Sequence, residues 1–395
     1  MSPHSTRKSL LIILSVLSIV VSGTFLISIF ARGYRLDTDN GFKLKATGLL
    51  SATSKPKSAR VYINDILTTA TDDTINLSPG EYQIEITKDT YLPWTKKIKI
   101  QPELVYQTDI QLFRATPNLK NITNANIFNA ITNSDATKIV FAIASASATQ
   151  KNGLYLFEPS EFILQLSDSS PKLIAPSTLL QDWTKFTYQF SPNSKELLAS
   201  AINGKINYLL PLDQTITSKN YVDVTSKLNE IKTRWLTEQS QTTKIKLEKL
   251  PPSLVSFIST TSSVLFLSSD ENKVLYQAST SGSLATLLPS PPPTQSTQTQ
   301  NRDLIKDFYY IYDLKEDTNF LIGDTSLSSL NWLPGSNYLY FQKENTIYVI
   351  ESDATNKLSL YTTDKPIKAI LPSSEGNKLI LSVDKLYSLT IKDNR

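Results

Sequence analysis

Cysteine is absent from the 395-residue sequence. That removes disulfides, thiolate nucleophiles and cysteine-held zinc in one step. The single histidine, His4, lies ahead of the first long apolar run, so the folded part can build neither a Ser-His-Asp triad nor a histidine-ligated metal site. No Gly-rich phosphate loop, G-x-S-x-G or H-E-x-x-H pattern occurs. A strong charge of one sign is missing too. Lys plus Arg number 40 against 36 Asp plus Glu, a formal +4, which predicts no nucleic-acid partner and no electrostatic adhesion to membranes. No cofactor and no metal are expected.

What the sequence does contain is β-forming material. It has 18 Tyr and 15 Phe with many Thr, Ser, Ile and Val, and little that favours long helices. The exception is Leu10 to Phe30, an uncharged stretch between Lys8 and Arg32. At about 1.5 Å per residue it is about 31 Å long, enough for a hydrocarbon core of about 30 Å. The pattern predicts a tail over 1–9, a transmembrane helix over 10–31 with the lipid bilayer as its partner, and a polar spacer over 32–45. The rival reading is a cleaved signal peptide, with Arg7 and Lys8 as its positive region and Val21-Ser22-Gly23 as its cut site. The apolar run continues past Gly23 for longer than such a segment needs. Flanking charges do not orient the helix, because Arg32, Arg35, Lys43 and Lys45 follow it closely. Asp37 to Gly41 has the flavour of a calcium loop, but its glycine comes one position early and no glutamate closes it.

From Gly48 the text turns to period-two segments. Arg60-Val61-Tyr62-Ile63 precedes the turn pair Asn64-Asp65, and Leu77 precedes Ser78-Pro79-Gly80. Glu81 to Lys88 puts Tyr82, Ile84 and Ile86 on one face and its charges on the other. Lys97-Ile98-Lys99-Ile100 repeats the alternation, so Lys96, Lys97 and Lys99 read as the wet side of a strand. A small antiparallel sandwich over 46–113 follows.

Three ordered motifs in this stretch resemble the PEGA domain: Pro56 to Ile63, Leu77-Ser78-Pro79-Gly80-Glu81-Tyr82, and Tyr91-Leu92-Pro93-Trp94. Ser58, Asp65 and Thr90 stand where the family carries glycine. These residues take positive φ less willingly, so altered turns are expected there. The resemblance implies an extracytoplasmic β-sandwich used for attachment or protein contact in bacterial and archaeal surface proteins, without enzymatic activity. It also implies a cytoplasmic N-terminus and a single-pass place in the cell membrane, with the C-terminal domains outside. Tyr91 and Trp94 are candidate partner-contact residues. The alternative is that they plug one end of the sandwich.

After Arg114 a unit of strand, polar turn and apolar strand recurs. Its copies are centred on Asn133-Ser134-Asp135, Ser191-Pro192-Asn193-Ser194, Ser268-Ser269-Asp270-Glu271, Leu333-Pro334-Gly335-Ser336 and Ser373-Ser374-Glu375-Gly376. The unit resembles a blade of a TolB-like or WD40-like β-propeller. Five to seven blades are expected over 114–395, with a strand between Asn118 and Phe128 closing the ring. Leu228, Ile231 and Trp235 predict a short helical insertion near 224–241. The Pro, Ser, Thr and Gln tract over 289–301 predicts a flexible loop.

These readings together describe a mainly β envelope protein that recognises a protein or glycan and is not an enzyme. One alternative is a propeller enzyme acting on surface polysaccharide through paired carboxylates, drawn from Asp135, Asp182, Glu196, Asp270 and Glu271. The other is a purely structural envelope protein.

Overall fold

The computed structural model describes residues 3–31, 34–37, 43–144, 151–159, 170–178, 181–212, 221–288, 296–335 and 337–393. Helix α1 (Pro3–Ala31) covers the uncharged N-terminal stretch. Among the described residues no helix is long and apolar enough to cross a bilayer, and Ser15, Ser18, Ser22, Thr24 and Ser28 interrupt the apolar side chains of α1. The transmembrane helix expected over 10–31 is thereby overturned, and the fold is mainly β with small helical content. The calcium-like stretch 37–41 lies almost wholly outside the described residues.

The chain divides into two compact units. In the first, a four-stranded antiparallel sheet runs in the order β4 (Ile66–Ala70), β3 (Arg60–Ile63), β6 (Gly80–Thr87), β7 (Trp94–Ile100). Further strands are β1 (Gly48–Ala52), β2 (Ser54–Lys55), β5 (Asp73–Leu77), β8 (Val105–Gln107) and β9 (Ile110–Gln111), and a short antiparallel pair, Tyr34–Asp37 with Lys43–Ala46, precedes them. Alternation does what period two predicts: Ile84, Ile86, Val61, Ile98 and Ile100 are buried while Lys97 and Lys99 are exposed. The sandwich is not purely antiparallel, however. Strand β8 pairs parallel with β1 and β9 parallel with β2. Ser296 and Thr297 belong to this unit. Ser296 bridges to Ile98, and the Thr297 hydroxyl donates to the Lys97 carbonyl at 2.6 Å, whereas 289–295 lie outside the described residues.

Among its described residues the second unit holds five four-stranded antiparallel sheets. Blade one is β11 (Ile127–Thr132), β12 (Ile139–Ile143), β13 (Gly153–Phe157) and β14 (Lys172–Pro176). Blade two is β15 (Phe186–Phe190), β16 (Glu196–Ala201), β17 (Asn207–Pro211) and β18 (Val222–Asp223). Blade three is β19 (Ser262–Leu267), β20 (Lys273–Ala278), β21 (Tyr309–Asp313) and β22 (Thr318–Gly323). Blade four is β23 (Ser328–Trp332), β24 (Tyr338–Lys343), β25 (Thr346–Glu351) and β26 (Leu358–Thr362). Blade five is β27 (Ala369–Pro372), β28 (Lys378–Ser382) and β29 (Leu386–Thr390), completed by β10 (Asn118–Asn121) from the start of the unit.

Middle strands are packed on both faces, which is why Ile139-Val140-Phe141-Ala142-Ile143 is apolar throughout and buried at every position. Neighbouring blades share apolar clusters. Phe141 and Leu371 join blades one and five, Val349 and Leu381 join four and five, and Ile311 and Phe341 join three and four. Val140 and Leu197 join one and two. After blade two the chain makes α2 (Leu228–Glu248) and α3 (Pro252–Thr261). Ile231 and Trp235 of α2 pack on Leu198 of blade two, and Leu254 and Ile258 of α3 pack with Val274 and Tyr276 of blade three.

Candidate functional site

The recurring polar turn joins the first and second strands of blades one, two, three and five by one construction. In blade two, Ser191 N–H donates to Glu196 O and Ser194 N–H to Ser191 O, each at 2.9 Å. The Ser191 hydroxyl accepts from Glu196 N–H at 2.9 Å. Ser268 and Ser373 repeat this with Lys273 N–H and Lys378 N–H at 2.9 and 3.1 Å, and Asn133 does so with Lys138 N–H at 2.9 Å. The fourth turn position takes positive φ: Ala136 +51°, Ser194 +57°, Glu271 +57° and Gly376 +63°. Gly376 is also sterically required, since a Cβ there would lie 2.5 Å from the Pro334 carbonyl oxygen.

Beside the turns of blades one and two lies a cavity of about 1150 Å³. Ile131, Thr132 and Asp135 form one wall, and Gln189 and Phe190 form a second. Ile258 and Phe266 close it from α3 and blade three. Across it runs one stripe of α2, Lys232, Leu236, Gln239, Thr243, Lys246 and Leu247, which the 3.6-residue repeat puts on a common face. A second pocket of about 390 Å³ continues along α2 and shares Leu236, Gln239, Thr243 and Leu247.

The helix is fixed over this space at its first half. Trp235 is 3 % exposed. Its indole N–H donates to Glu196 Oε2 at 3.2 Å, and Arg234 Nη2 donates to the same oxygen at 2.5 Å. Beyond Trp235 no α2 residue is buried, and Leu236 is 66 % exposed. The walls are rigid because their polar groups are tied up. Asn133 Nδ2 donates to Thr137 and Ser194 at 2.9 and 3.0 Å, and the Thr242 and Thr243 hydroxyls donate to helix carbonyls. Lys232 and Lys246 make no ion pair among the described residues.

Of the five carboxylates singled out in sequence, only Asp135 lines the cavity. Asp182 caps a short helix by accepting from Thr184 N–H and hydroxyl at 3.0 and 2.7 Å, and the hydroxyl bond above all holds its pKa below the usual carboxylate value. Burial would raise Asp270, but hydrogen bonds from Asn272 and Ser268 outweigh it and bring the pKa to about 2. Glu196 is held by Arg234 and Trp235, and Glu271 pairs with Lys249. Tyr188, also on the wall, donates its hydroxyl to the Trp183 carbonyl, and burial pushes its pKa up. Among the described residues no cluster of three or more acidic or histidine side chains could hold a metal.

Tyr91 and Trp94 are placed differently from one another. Trp94 is 2 % exposed, inside the sandwich, opposite Ile86 in the ladder. Tyr91 is half-buried and bridges Arg114, and its hydroxyl donates to Asp393, which Arg114 Nε also holds at 3.0 Å. The cavity was not legible in advance, although Leu247, Leu250, Leu254 and Ile258 carry a helical spacing that extends the predicted insertion.

Comparison with known families places a PEGA domain at residues 47–116. Comparison with curated proteins finds no match. Among solved structures the chain is similar to one in the mitotic checkpoint complex (TM-score 0.33, 10 % identity, 71 % of this chain and 93 % of that one). It is also similar to the Dos1 propeller (TM-score 0.28, 9 % identity, 70 % and 95 %). A third is the Pyrococcus horikoshii acylaminoacyl peptidase (TM-score 0.19, 11 % identity), where it spans 65 % of this chain and 35 % of that one. The family match gives a PEGA domain, and the fold gives, among the described residues, five four-stranded sheets after it.

Proposed function

We propose that this is a binding or scaffold protein in which the propeller recognises a partner and the PEGA domain provides attachment. The observation that carries this is the cavity under α2. It has rigid walls and a mixture of apolar and cationic side chains, and a single carboxylate faces it. Hydrolysis of a polysaccharide needs two carboxyl groups in register, one held protonated by a raised pKa. Asp182 and Asp270 are shifted the other way, and Glu196 is committed to Arg234 and Trp235. The PEGA match supports a place in the cell envelope.

The full chain, incubated with purified cell-surface polysaccharides, should release no reducing ends above a heat-inactivated control. Release that Asp135→Asn abolishes would replace recognition by catalysis. Protease treatment of intact cells should cut the chain, and full protection would refute the envelope placement.

A further inference from the structure

We infer that the groove along α2 takes an acidic peptide segment with aliphatic anchors, extended over about six residues. This rests on the binding reading above and names its ligand. Lys232 and Lys246 stand fourteen positions apart on one face of α2, which is about 21 Å at about 1.5 Å per residue. That is the length of about six residues of extended chain at about 3.3 Å each. With Lys244, on the smaller pocket, they put three ammonium groups along the groove against the single carboxylate of Asp135. Glu238 on the same helix is engaged by Arg234 at 4.0 Å. The potential therefore selects an anion, and it does so at both ends of the groove.

Between and beside the lysines the surface mixes Gln239 and Thr243 with apolar side chains. Leu236 is 66 % exposed, and Phe190, Phe266 and Leu247 are half-buried around the cavity. Space of about 1150 and about 390 Å³ on the two sides of the Leu236–Leu247 stripe leaves room for the side chains that project alternately from one strand. An oligosaccharide fits this chemistry less well. Sugar recognition uses an open aromatic face and amide or carboxylate groups free to pair with hydroxyls. Trp235 is buried with its N–H spent on Glu196, and Asn133 gives its amide to Thr137 and Ser194.

The test is fluorescence anisotropy of the full chain with a labelled octapeptide of alternating Glu and Leu. Its Glu→Lys and Glu→Gln counterparts and a labelled oligogalacturonate are run beside it. The Glu peptide should bind at least tenfold more tightly than the other two peptides, and its affinity should fall with added salt. Thr243→Trp fills the groove from an exposed helix position, and Lys232→Glu with Lys246→Glu reverses its charge. Each should weaken binding at least tenfold while circular dichroism stays unchanged. Equal binding of the Lys peptide, or binding that survives both sets of substitutions, overturns the inference. Preference for oligogalacturonate lost in Thr243→Trp overturns the peptide and leaves the binding reading standing. Failure of every probe to bind overturns the inference, while hydrolysis independently tests the reading beneath it.

Discussion

Thr90 holds φ at +73°, Asp65 at +66° and Ser58 at +58°. These are the positions where the sequence departs from PEGA glycines, and the expectation of altered turns is not met. The turns keep the left-handed backbone and the side chains bear the strain, about 1 to 2 kcal/mol per L-residue and worst for a β-branched one. Thr90→Gly should therefore stabilise the protein by about 1 kcal/mol in urea unfolding, Ser58→Gly by about half of that, and Asp65→Gly by least, since Asp tolerates this region. Asp317 is the opposite kind of residue, a buried charge with every partner in place. It accepts from Leu287 N–H and Leu288 N–H at 2.9 Å, from the Tyr312 hydroxyl at 2.7 Å and from Arg302 at 2.9 Å, with its side chain fully buried. Burial pushes its pKa up, but the bonds outweigh that and the net shift is downward. A carboxyl whose folded pKa lies below its unfolded value of about 3.9 stabilises the fold at neutral pH, and that contribution is lost as pH falls below about 4 through the folded pKa. Asp317→Asn should cost about 3 kcal/mol at pH 7. The deficit should shrink towards pH 2, which thermal unfolding across pH 2 to 7 would read out.

At the scale of elements, sequence pattern served strands better than helices. The turns at Asn133, Ser191, Ser268 and Ser373 were visible because one hydrogen-bonded construction demands the same polar residues each time. The two stretches that misled were helical. Leu10 to Phe30 reads as a span when charges are counted, but serines and a threonine interrupt it, and among the described residues no helix is long and apolar enough to cross a bilayer. The insertion after blade two was placed near 224–241, whereas α2 continues to Glu248 and α3 follows. A proline opens a helix as readily as it closes one, and Pro252 is the first residue of α3. The cavity was illegible for the same reason, since it exists only because α2 outruns its anchor. That anchor is testable. Trp235→Ala removes both the buried ring and the bond to Glu196, and should cost about 3 to 5 kcal/mol locally. Hydrogen exchange should rise across 228–248 and stay unchanged in β24 and β25. Uniform exposure of all blades would mean that α2 is an integral support of the ring, not an element docked on it.

For the second unit as a whole, closure and blade count were legible to different degrees. The lysines that follow the polar turns, Lys195, Lys273 and Lys378, are spaced too far apart for single blades. The first interval holds α2 and α3, and the second holds all of blade four. Closure was readable from a shortage of strands at the C-terminus, and β10 supplies the missing one. It pairs Leu119 with Leu389 and Lys120 with Ser388, so one edge of blade five is covered by the first strand of the same unit. A contact between chain positions this far apart forms late and at a large loop-closure cost. The absence of cysteine makes it directly measurable. Lys120→Cys with Ser388→Cys places two thiols on opposite antiparallel positions, at a Cα separation of about 4.5 to 5.5 Å, within the range a disulfide spans. The bond would close a loop of about 270 residues and should stabilise the unit by about 5 to 6 kcal/mol in the loop-entropy account, less whatever strain the bridge adds. Oxidised protein should therefore melt higher than the unmodified chain, and dithiothreitol should return it to the unmodified value. Two titratable thiols persisting in folded, oxidised protein would show that β10 does not close the ring. The five blades would then end in an open edge at β29, available to another strand.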